Sequence, residues 1–520
     1  MTRLTHLPLF LLLFAIAGAA MYAPAIYALR LGEHAQARAF FYAGTLGLTA
    51  SGLIAISLSG RKRNAKGGVG NLSALLAAYI VLPAFLAVPF HEALGTTSFL
   101  NAYFEMVSSL TTTGATLFSD PDRLPAALHL WRAEVGWLGG FLIWVAAAAV
   151  LAPLNLGGFE VTSFAEPGQG DVAEERQSYT DPALRLLRSA AQLLPVYVGL
   201  TLVLWILLMI TGDRAFVALC HAMSTMATSG ISPVGGLSPA AVGDAGLPLS
   251  MGSGTTSGIA GEMVIFLFLL FALSRLTFSS DSTTGQRQSL RYDPEFRIGI
   301  MLVLGVPLLL FMRHFIASFD LVAGTGGMEA LHALWGGVFT VLSFLSTTGF
   351  VSADWDTAQA WSGLPTTGLI LLGLALVGGG VATTAGGVKL LRVYVLYLNG
   401  LREMEKLVHP HSVGGKGAQS RRIRRKGAYV AWIFFMLFAL SLSLVIVVLA
   451  GFGADFEQAT VLAIAALSTT GPLIGIASDV PIILADLSSG AKLVLGAAMV
   501  LGRLETLAIV ALVSPSVWRN

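Results

Sequence analysis

The chain has 520 residues, of which 55% are hydrophobic and only 12% charged, with a mean hydropathy of +0.76. Soluble domains carry about 25% charged residues, so this composition excludes a string of soluble domains and calls for lipid around the chain. The net charge of +2 is uninformative as a total, and a single cysteine, Cys220, excludes an internal disulfide and any multi-cysteine metal site.

Runs long enough to cross about 30 Å of hydrocarbon occur near 7–29, 39–60, 72–92, 127–154, 184–211, 260–279, 298–317, 364–399, 427–451 and 490–514. The first contains Gly18-Ala19-Ala20, which resembles a signal cleavage site, but continues apolar through Tyr27, too long for a signal core. It is read as a retained helix. The last eight runs form four pairs. Each pair encloses a short apolar stretch (Phe104 to Leu110, Phe216 to Met226, Val338 to Leu345, Val461 to Leu467) and then one recurring phrase.

The phrases are Thr112-Thr113-Gly114, Thr228-Ser229-Gly230, Thr347-Thr348-Gly349 and Thr469-Thr470-Gly471, with glycines 116, 119 and 122 residues apart. A repeat of this period sets the architecture. The expected fold is an all-α polytopic membrane protein: four pseudo-repeated helix–pore loop–helix units around one pore, plus two N-terminal helices. The expected units are 1–66 (two additional helices), 67–181, 182–297, 298–426 and 427–520. Non-helical backbone at membrane depth is tolerated only where it is buried or lines a wet cavity, so four such loops point to one shared axis. Glycine gives inward-turned carbonyls at least strain, and a ring of carbonyls can replace the water around a cation. All twelve residues of the four phrases are therefore candidate cation ligands. One Thr-Thr-Gly carries no signal; four in register do. The second departs most, with Ala227 and Ser229.

Lys and Arg fall at 61–66 (Arg61, Lys62, Arg63, Lys66) and between the eighth and ninth runs (Arg402, Lys406, Lys416, Arg421, Arg422, Arg424, Arg425, Lys426). Both loops and both termini are then cytoplasmic, and the phrases face outside. The basic segment reads as an anchor that also suits a regulatory partner or anionic lipid. Outer segments carry Asp120, Asp122, Asp244, Asp320, Asp354, Asp356, Asp479 and Asp486, either simple loop solvation or a mouth that concentrates cations. The acidic segment 160–181 is assigned inside.

Gly378, Gly379, Gly380, Gly386 and Gly387 interrupt the eighth run, and each disfavours helix by about 1 kcal/mol relative to alanine. Two readings stand: a close-packed helix with small contact residues, or an intramembrane loop that blocks the pore. Lys389 and Arg392 follow, placed to hold that loop or to meet the inner membrane interface. Arg503 lies in the last run, either paired internally, with Glu505 or Glu262, or acting on the path. Lys492 reads as interfacial, Glu105 as an anchor of its pore helix, Cys220 as packing, and His409 with His411 as loop residues. No Gly-x-Gly-x-x-Gly follows a plausible strand, so no dinucleotide fold and no covalent cofactor is expected. Nor does any nucleophile or metal cluster suggest an enzyme, and no nucleic-acid partner is expected.

The stretch Phe104-Glu105-Met106-Val107-Ser108-Ser109-Leu110-Thr111-Thr112-Thr113-Gly114-Ala115-Thr116 is similar to the first pore loop of the TrkH/KtrB proteins of the Trk/Ktr/HKT potassium transporters. Trp131-Arg132, Trp137-Leu138-Gly139-Gly140, Ala165-Glu166-Pro167-Gly168 and Asp293-Pro294-Glu295-Phe296-Arg297 also resemble family landmarks, the last two in cytoplasmic connections. The resemblance covers nearly the whole chain, and the two extra helices favour the TrkH branch. It implies K⁺ uptake across a bacterial inner membrane, K⁺ at the phrases, and a gate at the glycine-rich break, with Lys389 beside it. It implies an electrostatic barrier at Arg503, a homodimer, and a separate TrkA-type cytosolic subunit carrying the nucleotide. A glycine in all four loops goes with K⁺ selectivity in this family; the irregular second loop leaves K⁺/Na⁺ discrimination open. The alternative is a Na⁺- or H⁺-coupled cation symporter.

Overall fold

The structure, a computed structural model, describes residues 8–58, 68–152, 182–237, 257–274, 290, 293–317, 327–364, 366–409, 425–478 and 480–505. These residues are helical, with connecting loops and no strand among them. Helices α1 (Leu9–Ala20) and α2 (Tyr22–Arg30) form the first span, and α3 (His34–Leu58) the second. Gly18 and Gly44 let α1 and α3 touch backbone to backbone: a Cβ on Gly44 would lie 2.8 Å from Gly18 O, the small-residue contact that helices use in lipid.

Then follow α4 (Gly68–Leu94), α5 (Phe99–Leu110), α6 (Ala126–Ala146, extended by a π turn over Ala147–Leu151), α7 (Pro182–Ile210), α8 (Ala215–Ala227) and α9 (Gly258–Leu269). The second half holds α10 (Pro294–Ala317), α11 (Gly327–Leu345), α12 (Trp355–Ser362), α13 (Thr367–Val377), α14 (Leu390–Val408), α15 (Arg425–Gly451), α16 (Phe456–Leu467) and α17 (Ser489–Leu504). The α5 and α17 starts are capped by Ser98 and Ser488, whose hydroxyls each accept an amide three residues on. Leu46, Leu53, Leu309, Leu440 and Val447 are exposed, as lipid-facing positions should be, while the later turns of α5, α8, α11 and α16 are buried.

Eight helices among the described residues are long and apolar enough to cross a membrane. They match the expected runs at 7–29, 39–60, 72–92, 127–154, 184–211, 298–317 and 427–451, and add α11. The sequence expectation of a short stretch from Val338 covers only the buried end of α11; its first turns, with Met328 and Leu331, are exposed. The eighth expected run is two helices, α13 and α14, separated by residues 378–389. The described part of the run at 260–279 is α9 plus a 3-10 turn over Leu270–Leu273. The last run is described to residue 505.

Candidate functional site

Each of α5, α8, α11 and α16 ends in the same way, and the ending explains the Thr-x-Gly phrase. The first threonine of each phrase is left-handed: φ is 55° at Thr112, 50° at Thr228, 58° at Thr347 and 55° at Thr469. Its amide reaches back three residues, to Ser109, Thr225, Phe344 and Ala466. The next amide, of Thr113, Ser229, Thr348 or Thr470, reaches back five, to Ser108, Ser224, Ser343 and Ala465, at 2.8–3.0 Å. This is the Schellman ending of a helix, with threonine where glycine is usual. A β-branched residue held there costs about 1–3 kcal/mol, so four such threonines imply a use for the hydroxyl. Each helix also directs the negative end of its dipole at the loop.

The four loops close into a ring. A Cβ on Gly114 would strike Ser229 O, one on Gly230 would strike Thr348 O, one on Gly349 would press on Pro472 at 3.0 Å, and one on Gly471 would strike Ala115 N. Each loop thus abuts the next, and the fourth returns to the first through Gly471 N, 2.6 Å from Thr113 O. Gly114, Gly230 and Gly349 are left-handed (φ 74°, 65° and 83°), so they must be glycine on two counts. Gly471 has no positive φ and begins a 3-10 turn over Gly471–Gly475 containing Pro472. In backbone, therefore, the fourth loop is the exception. The second, which reads as most divergent in sequence, keeps the geometry of the first and third.

Buried glutamates fasten the segments after these glycines. Glu105 on α5 accepts from Leu117 N (2.5 Å) and Thr116 Oγ1 (2.9 Å) and faces Arg132 of α6 at 3.0 Å. Glu262 on α9 accepts from Ser352 Oγ (2.7 Å), Ala353 N (2.7 Å) and Trp335 Nε1 (2.9 Å). Glu105 is thus the anchor expected, fixing the loop after its helix rather than only the helix.

Beneath the ring, residues 378–389 form a loop, so the close-packed-helix reading of the glycine run is not what the chain adopts. Val388 N and Lys389 N bond to Leu376 O and Val377 O, both at 2.9 Å, closing the loop's neck. Left-handed Gly378, Ala382, Gly387 and Lys389 turn the chain. Gly379 and Gly380 run against the carbonyls of Ala272 and Leu273, and Gly386 against Ser468 O. The tip meets the ring directly: Gly386 N donates to Thr347 Oγ1 (2.7 Å), and Thr228 Oγ1 donates to Thr384 Oγ1 (3.1 Å). The other two left-handed hydroxyls, of Thr112 and Thr469, are buried without a hydrogen-bond partner.

Three buried cations surround this loop. Lys389 Nζ donates to Ala385 O within it. Arg503 Nη1 donates to Thr384 O at 2.6 Å, so neither Glu505 nor Glu262 is its hydrogen-bonded partner. Glu505 instead pairs with Arg392 at 2.6 Å, and the Arg392 guanidinium lies 3.6 Å from the centre of the Phe434 ring. Lys389 and Arg392 are therefore interior residues, not contacts with the membrane interface. Lys492, expected at an interface, is buried and donates to Ala485 O (2.8 Å) and Asn101 Oδ1 (3.2 Å).

Sequence reading missed Thr383 and Thr384 at the loop tip, although a Thr-Thr pair inside the glycine run was a usable signal. It also took Glu295 for part of a cytoplasmic connection. Glu295 is buried and accepts from Val381 N at 2.9 Å. Cys220 packs among Leu130, Ala133, Met223 and Ile231, as expected. The basic residues at 61–66 and 416–424, the acidic segment 160–181, Asp244, Asp320, Asp479 and His411 lie outside the described residues.

A family model, TrkH, described as a cation transport protein, matches residues 84–519. The chain is 32% identical over 424 residues to the Trk system potassium uptake protein TrkH of Halomonas elongata, covering 81% of this chain and 80% of that one. It is 31% identical over 425 residues to the TrkH protein of Escherichia coli K12, with the same coverage. Among solved structures it matches the crystal structure of the potassium transporter TrkH from Vibrio parahaemolyticus, with a TM-score of 0.77 and 26% identity over the whole of both chains.

Proposed function

Since the chain belongs to the TrkH family of cation transport proteins, we propose that it carries K⁺ into the cell through the ring of four Thr-x-Gly loops. The observation that carries this reading is the ring itself: four helix ends with the same left-handed threonine, each abutting the next. Backbone carbonyls and helix-end dipoles there suit a cation that sheds water. The twelve residues of the phrases are the proposed ligands. The loop 378–389 is the proposed gate, since its tip is bonded to two of the ring threonines. Arg503, buried beside the tip, is the proposed barrier to cations below the ring.

Potassium uptake is the printed activity of the Halomonas and Escherichia relatives. A homodimer, both termini in the cytoplasm, and a TrkA-type cytosolic partner that carries the nucleotide complete the proposal. Coupled symport with Na⁺ or H⁺ is the alternative. It needs a carboxylate free to exchange ions; Glu105, Glu262 and Glu295 are each committed to loop amides, so that alternative would have to rest on a group such as Glu134 of α6, whose buried Oε2 has no hydrogen-bond partner. In liposomes, the protein should take up ⁸⁶Rb⁺ down a gradient, with K⁺ competing better than Na⁺ or Li⁺. No uptake with regulator and nucleotide present would overturn the reading.

A further inference from the structure

Nine residues before the four loop glycines, the same turn of each buried helix carries Glu105, His221, Thr340 and Leu462. The chemistry at the first two is parallel. Glu105 holds the hydroxyl of Thr116, two residues after Gly114, and that hydroxyl accepts Phe118 N at 3.1 Å. His221 Nε2 lies 2.9 Å from Ser232 Oγ, two residues after Gly230, and that hydroxyl accepts Val234 N at 3.2 Å. Ser232 gives its own hydrogen to Gly236 O (3.1 Å), which makes Nε2 the donor of the histidine bond.

Each anchor has an ionisable neighbour. Glu105 has Arg132 at 3.0 Å, and His221 Nδ1 has the Asp213 carboxylate at 3.6 Å. Asp213 Oδ1 in turn accepts Ser257 N at 2.7 Å. Burial by itself would push the Asp213 carboxyl up, but the His221 ring and the Ser257 group hold it below its ordinary value. His221 and Asp213 are both buried. The imidazole also meets Phe350, the residue after Gly349, edge to face with centroids 5.6 Å apart. One side chain thus touches the segments that follow two neighbouring ring glycines.

We infer that His221 is a positioning residue that fixes the second loop through Ser232 and so sets how well the ring discriminates between alkali cations. The inference deepens the conduction reading and rests on it. Gly230 is packed against Thr348 O and Pro472, so slack in the segment after it passes to the third and fourth loops. The other helices meet the same need differently: Thr340 Oγ1 accepts Ser352 N at 3.3 Å, with Glu262 holding the Ser352 hydroxyl, and Leu462 has no polar group to offer.

The test uses full-length protein in liposomes and compares ⁸⁶Rb⁺ with ²²Na⁺ uptake for wild type, His221→Leu, His221→Gln, Ser232→Ala and the His221→Leu/Ser232→Ala double variant. The expected result is a several-fold fall in the Rb⁺/Na⁺ ratio for His221→Leu and Ser232→Ala. The double variant should be no worse than either, and His221→Gln, which keeps a donor for Ser232, should restore most of the ratio. A wild-type ratio in conducting His221→Leu, or in Ser232→Ala should His221→Leu fail to fold, overturns the inference. So do additive losses, or a His221→Gln no better than His221→Leu. Absence of Rb⁺ uptake by the wild type rejects the conduction reading instead.

Discussion

Arg503 donates a 2.6 Å hydrogen bond to the carbonyl of Thr384, joining the last turn of α17 to the tip of the glycine-rich loop. The guanidinium is buried, and its contact with the loop is to backbone, so the bond constrains the loop's position whatever side chain stands at 384. A hydrogen bond to a charged group contributes about 1.5–3 kcal/mol. Arg503→Ala removes both that tether and the positive charge beneath the ring. Basal ⁸⁶Rb⁺ flux, measured without regulator, should rise several-fold; a fall in flux from well-folded protein would count against the barrier role.

The ring threonines divide into two that hold the loop and two that do not. Thr347→Val leaves Gly386 N–H without its acceptor, at a cost of about 1–3 kcal/mol for a buried donor. Thr228→Val breaks the bond to Thr384. Both should raise basal flux more than Thr112→Val or Thr469→Val, whose hydroxyls have no bond to the loop. Equal leak in all four variants would show that these bonds do not restrain the gate.

Gly114 is constrained by its φ of 74° and by Ser229 O behind it. Gly114→Ser must shift one loop or the other, enlarging the ring on the side of the first two repeats. Relative Na⁺ permeability should increase in a Rb⁺/Na⁺ flux comparison. An unchanged ion ratio would argue that Gly114 does not line the path.

The Arg392–Glu505 pair, with Phe434 against the guanidinium, ties α14 just beyond the loop to the end of α17 and to α15. Removing one member of a buried pair strands a charge, at about 3–5 kcal/mol, whereas replacing both with well-packed apolar residues can be nearly neutral. Arg392→Met and Glu505→Leu should each lower the thermal unfolding midpoint of detergent-solubilised protein clearly. The double variant should recover much of the loss. Additive losses would mean that the two side chains do not act as a pair.

The four phrases and their spacing were legible because they record a local event: a helix ending in a Schellman turn needs only its own last residues and one that accepts left-handed φ. Membrane class, most spans and the break at residue 378 were legible for a similar reason, since hydrophobic length and glycine content act on the segment that carries them. Two readings did not survive contact with the fold. The second loop is odd in sequence but regular in backbone, because Ser229 makes the same amide bond as the threonines at that position. The fourth looks regular but turns differently after Thr470, where Pro472 follows the glycine.

What the sequence by itself determined, then, is the kind of molecule and the places where its backbone must leave the helix. Tertiary structure alone decided which buried charge meets which partner: Arg503 a carbonyl rather than Glu505, Glu505 the distant Arg392, Glu295 the amide of Val381, His221 the hydroxyl of Ser232. The physical reason is range. A left-handed turn is fixed by sterics within a few residues, whereas a buried charge costs several kcal/mol until some group across the fold satisfies it, and nothing in its own neighbourhood says which group that will be.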